Sequence, residues 1–143
     1  MKMLTKVTLL AISIGAVSAQ AFASVPEVVN AKLWDQGGQM GISTDVSTVK
    51  AGKIDFEVFN DSKALVHEML VIKVRDFEEA LTYDSKDGKI VEDKTQDIGE
   101  VSELEPGKSG SLTVNLKPGK YMLVCNMPGH YKSHMYTNLL VTQ

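Results

Sequence analysis

The chain has 143 residues, 43% of them apolar, and its 15 basic and 18 acidic side chains leave a net charge of −3. That apolar content excludes a disordered polymer, and the length supplies one ordinary domain. A single cysteine excludes a disulfide framework, a Cys₂–Cys₂ zinc site and a cysteine-ligated iron–sulfur cluster. The lack of a basic excess argues against nucleic acid as a partner.

The N-terminus has the pattern of an export signal. Lys2 and Lys6 form a short positive region, and residues 7–17 are apolar or small. Ala21-Phe22-Ala23 then offers the small-x-small site that a signal peptidase reads, placing cleavage after Ala23. An uncleaved anchor is the alternative, but a spanning helix needs roughly 20 apolar residues. Arg75 is the only arginine, so there is no twin-arginine signal, and no cysteine near the cleavage point could carry a lipid. The expectation is a signal peptide over 1–23 and a single domain over 24–143, periplasmic or otherwise exported, soluble and without a membrane span. Removing Lys2 and Lys6 leaves 13 basic against 18 acidic residues.

Beyond residue 23 the sequence predicts strands. Residues 28–34 and 40–44 are rich in β-formers and flank Gly37-Gly38. Ile54, Phe56 and Val58 alternate with Lys53, Asp55 and Glu57, the period of a half-buried strand. Residues 66–74 form the next candidate. Residues 76–80 could make one helical turn, and the stretch 76–105 carries 11 acids and 3 lysines. It is read as a solvated loop with a hairpin near Asp87-Gly88, a docking surface for a basic partner being the alternative. Leu112, Val114 and Leu116 alternate with Ser111, Thr113 and Asn115, and strands follow at 120–125 and 136–141. Pro106-Gly107 and Pro118-Gly119 have the residues of type II turns. Trp34 and Tyr121 are expected in the core. About seven short strands joined by turns indicate an all-β, two-sheet antiparallel sandwich.

One constellation carries chemistry. Cys125, His130 and Met135 recur at five-residue intervals, a C-x4-H-x4-M pattern, with His67 upstream in a strand as a fourth candidate. A free thiol outside the cytoplasm is prone to oxidation, and metal coordination removes that hazard. A thiolate, imidazoles and a thioether form a soft-to-borderline donor set that suits copper in both oxidation states. Zinc has little use for a thioether, and calcium or magnesium would want oxygens.

These residues carry a family resemblance. Residues 46–141 resemble the cupredoxins, the blue (type 1) copper proteins. The matching features are His67 in a strand, Leu104-x-Pro106-Gly107, Pro118-Gly119-x-Tyr121-x-Leu123-x-Cys125 and the ligand loop, whose spacing looks most like rusticyanin and sulfocyanin. The resemblance implies a Greek-key sandwich of seven to eight strands holding one copper ion. It places His67, Cys125 and His130 in the copper plane and Met135 as a weak axial ligand. Two positions depart from the family pattern: Glu68 stands where many members carry Asn, and His134 where Gly often precedes the axial Met. Either could enter the metal shell, although Glu68 should point away from His67 and His134 should lie on the loop surface. Met69 and Met127 are read as packing around the metal. Pro128 has no N–H to offer the thiolate.

The reading that results is a monomeric electron carrier making transient contacts with redox proteins and performing no substrate chemistry, with His130 as the solvent-facing edge. A copper-handling protein for resistance, storage or delivery is the alternative, drawing on Glu68, Met69, Met127 and His134 as auxiliary ligands.

Overall fold

The computed structural model describes residues 25–143; the expected signal peptide lies outside the described residues. In chain order the strands are β1 (Glu27–Gln36), β2 (Gln39–Thr44), β3 (Thr48–Lys50), β4 (Gly52–Asn60), β5 (His67–Val74), β6 (Tyr83–Asp84), β7 (Lys89–Ile90), β8 (Gln96–Leu104), β9 (Ser109–Leu116), β10 (Gly119–Val124) and β11 (Tyr136–Thr142). A single 3₁₀ turn, Glu92–Lys94, is the one helical element among the described residues. No helix among them is long and apolar enough to cross a membrane.

Two sheets face each other, one ordered β2-β1-β4-β9 and the other β3-β11-β10-β5-β8. The expected sandwich is therefore present, with every anticipated strand in it, but its sheets are mixed where wholly antiparallel ones were expected. Two pairs, β1–β4 and β3–β11, run parallel, because the chain crosses from one sheet to the other between β2 and β3 and returns at β4. Alternation decides which side chains enter the core: Val29, Ala31 and Leu33 from β1 and Ile54, Phe56 and Val58 from β4 meet Met69, Val71, Tyr121, Leu123, Leu139 and Val141 of the other sheet. Tyr121 is buried as expected, its hydroxyl donating to the Lys117 carbonyl at 2.9 Å. Gly37 and Gly38 both take positive φ in the two-residue β1–β2 turn, the demand of a type I′ hairpin. Gly107 (φ +74°) sits at the third position of a turn closed by the Lys108 amide on the Glu105 carbonyl, as its Pro-Gly signature requires.

Three further expectations are corrected. Trp34 is not in the core. It follows inward-facing Leu33, so it projects from the outer face of β1, lies over Gly41 and donates from Nε1 to Ser43 Oγ at 2.9 Å. Residues 76–80 form no helix; Asp76 holds a turn through its carbonyl, which accepts from the Glu79 amide, and its Oδ1, which accepts from the Phe77 amide. The acidic stretch is not merely a solvated loop. It contains the expected hairpin, β6–β7, and the additional edge strand β8. Phe77, Leu81 and Ile90 pack with Tyr131 and Tyr136 onto Leu70, Ile72, Val74, Met122 and Val124. β5 is thus covered on both faces: sandwich core on one side, this excursion on the other.

Candidate metal centre

His67 opens β5 and is wholly buried. The chain reaching it from β4 is shaped by Asn60, also wholly buried. Asn60 Nδ2 donates to the carbonyls of Leu65 (2.9 Å) and Leu104 (2.7 Å), and its Oδ1 accepts from the Ser62 amide (3.0 Å). Cys125 follows β10 and Met135 precedes β11, and both are buried. The Cys125 amide donates to the Met135 carbonyl at 3.0 Å, so the loop begins and ends at one point. Within it the His130 amide bonds the Met127 carbonyl and the Met135 amide bonds the His130 carbonyl. These turns point the His130 ring back at the thiol.

Three donor atoms converge. Cys125 Sγ lies 3.3 Å from His130 Nδ1 and 3.9 Å from His67 Nδ1, and the two Nδ1 atoms are 3.2 Å apart. Donors sharing one ion at the usual ~2.0–2.3 Å stand roughly 3.4–3.8 Å from one another. Among the described residues, this is the one group of three or more His, Cys, Asp or Glu side chains so arranged. Met135 and Met69 are buried in the same core cluster as Cys125, and the partly buried Met127 packs against that cluster. All four residues singled out in the sequence therefore lie at this end of the sandwich, with His130 the one nearest solvent.

Burial disfavours charge here. It pushes the Cys125 thiol up to about 11, against the pull of hydrogen bonds from the Glu68 and Met127 amides. Burial also lowers both histidines, opposed for His67 by the hydrogen bond with Asp35 and for both rings by its charge. Without an ion, the site is a neutral thiol and two neutral imidazoles, a set that gives up a proton when it binds a soft cation. The Glu68 amide donates to Cys125 Sγ at 3.5 Å, a role Pro128 cannot fill.

The two departures from the family pattern both stay outside the cluster. Glu68 is buried on the opposite face of β5 from His67, at a bulge in the β5–β8 pairing, with Oε1 unpartnered. Its surroundings raise its carboxyl to about 7, first by burial. His134 is exposed and near Tyr136 OH (3.5 Å). Its φ of +63° explains why a glycine suits that position.

Sequence reasoning missed two residues. Asn126, wholly inside, fastens the ligand loop to the excursion: its Oδ1 accepts from the Ile90 amide (2.6 Å), and its Nδ2 donates to the Ile90 carbonyl (3.2 Å) and to Glu92 Oε1 (2.8 Å). The Gly129 amide adds a bond to the Gly88 carbonyl at 2.8 Å. Asp35, at the end of β1, lies with Oδ1 3.4 Å from His67 Nε2. An Asn directly after the only cysteine was a signal that could have been used. Asp35 had none, because it is 32 residues from its partner.

A two-sheet sandwich with a buried thiol between two imidazoles at one end is the arrangement of the cupredoxins, and solved cupredoxins share the fold. An auracyanin from Roseiflexus castenholzii, solved dithionite-reduced, is 21% identical, with 85% of this chain matched to 100% of that one at a TM-score of 0.60. Auracyanin A, a "blue" copper protein from Chloroflexus aurantiacus, is 21% identical over 82% of this chain and 100% of its own, TM-score 0.62. Rusticyanin from Thiobacillus ferrooxidans is 16% identical over 85% and 80%, TM-score 0.64. A comparison with curated proteins gives no match. The family model of the sulfocyanin (SoxE) domain matches residues 33–143, and the chain belongs to that family. Family and donor group together fit a single type 1 copper site.

Proposed function

We propose that the protein is an exported blue copper electron carrier in which His67, Cys125 and His130 hold one copper ion and Met135 supplies a weak axial contact. The observation that carries this reading is the convergence of one thiol and two Nδ1 atoms within 3.9 Å of one another at a largely buried end of the sandwich. Copper held there supplies a reversible one-electron couple between Cu(I) and Cu(II). The chain's part is to keep the donors still. His67 is carried at the start of β5, a strand packed on both faces, the Cys125–Met135 hydrogen bond pins the loop at its base, and Asn126 holds its outer side. Donors that do not move between oxidation states keep reorganisation small, the requirement for fast electron transfer. His130, half-buried in the loop, is the edge at which a redox protein would make transient contact.

A cargo role would be favoured by spare ligands beside the metal. Glu68 faces the other side of β5, His134 is on the surface, and Met69 and Met127 belong to the packing. The test is electrochemical. Copper-loaded protein is expected to cycle reversibly, self-exchange rapidly and keep its copper against a Cu(I) chelator. Ready surrender of Cu(I) without a reversible wave would identify a handling protein instead.

A further inference from the structure

The His67 ring is wholly enclosed, and its Nδ1 faces the thiol and His130. An imidazole that offers Nδ1 to a metal carries its proton on Nε2, and a buried N–H needs an acceptor. The atom in reach is Asp35 Oδ1, at 3.4 Å. Asp35 comes from the opposite sheet, at the end of β1. Its carboxyl is held below the usual range chiefly by a hydrogen bond with Ser62, and also by His67. The Asp35 side chain is 26% exposed, so it spans from the buried ring to water. His130 has no equivalent: among the described residues, its side-chain partners are His67 and Cys125, both through Nδ1.

We infer that Asp35 is a positioning residue for the metal centre: its carboxylate fixes the Nε2–H tautomer of His67, presenting Nδ1 as the donor, and its negative charge lowers the reduction potential of the site. This rests on the reading of the site as a copper centre. A carboxylate behind a ligating histidine fixes ring orientation and raises ligand basicity. Its charge also favours the oxidised site, which carries one more positive charge than the reduced one. The hydrogen bond is made to His67 and not to His130, leaving the His130 edge free for contact.

Two variants separate charge from orientation. Asp35→Asn keeps an acceptor without the charge, and Asp35→Ala removes both. In copper-free protein, long-range ¹H–¹⁵N spectra should show His67 protonated on Nε2 in the wild type and in Asp35→Asn, and a tautomer mixture in Asp35→Ala. After copper loading, both variants should show a potential raised above that of the wild type. Asp35→Ala alone should lose about 10–100-fold in Cu(II) affinity. An unchanged His67 tautomer in Asp35→Ala, or an unchanged potential in Asp35→Asn, would overturn the proposal. A wild type that binds no copper but shows the tautomer dependence would sink the copper reading and leave the positioning of His67 standing.

Discussion

Asn126 offers the sharpest test of how the ligand loop is held. It is 1% exposed, and replacing it with Ala strands the amide of Ile90, itself only 3% exposed. The same change deletes two donor bonds, one of them to the Glu92 carboxylate. An orphaned buried amide costs about 1–3 kcal/mol, and the lost bonds, one partly exposed to water, add about 1 kcal/mol, so Asn126→Ala should cost about 3 kcal/mol. For a domain of this size that lowers the melting temperature by about 10–15 °C. The assay is reversible unfolding of the copper-free protein, with exposed Asn115→Ala as the control. The wild-type excursion should release from the loop only on global unfolding, whereas in the variant hydrogen exchange at Ile90 should be accelerated. A loss under about 0.5 kcal/mol, inside the range of ordinary surface substitutions, would refute the claim that Asn126 fastens the loop.

Two further outcomes concern the apo protein. Glu68, raised in the fold to about 7 from an ordinary 4.5, keeps its proton at pH values where the unfolded chain has lost it. Stability should therefore fall as pH rises between those two values, by on the order of 3 kcal/mol; Glu68→Gln should flatten the slope, and an unchanged slope in denaturant midpoints would contradict the assignment. Gly41→Ala would place a methyl 2.6 Å from Trp34 Cζ2, forcing the indole off the sheet at a cost of about 1–3 kcal/mol. As Trp34 is the only tryptophan, its fluorescence should shift to the red, and an unmoved emission would show that the indole does not depend on that glycine.

The site was legible because its chemistry is local: Cys125, His130 and Met135 lie within one loop, and their residue types narrow the metal. His67 could be named only as an upstream candidate in a strand, and its place in the copper plane came from the family resemblance. Strands with one polar and one apolar face, such as β4 and β9, could be read by alternation. β8 could not, because it is an edge strand with acids at exposed positions and only Val101 fully buried. Edge strands commonly carry such charge, which resembles a loop in sequence. The place of Trp34 follows from parity with Leu33, against the general preference of a large aromatic side chain for the core. Asp35 and Asn126 act through partners 32 and 36 residues away in sequence; the place of Asn126 next to Cys125 marks it as a residue of the loop, but its partners and those of Asp35 are joined to them only by the three-dimensional arrangement.

The most direct test of the account is a titration of the purified protein with Cu(II), followed by visible and paramagnetic-resonance spectroscopy alongside Cys125→Ser. One equivalent of copper should develop an intense thiolate-to-copper colour in the wild type and none in the variant. Colour that survives loss of the thiol, or a wild type that retains no copper, would contradict it.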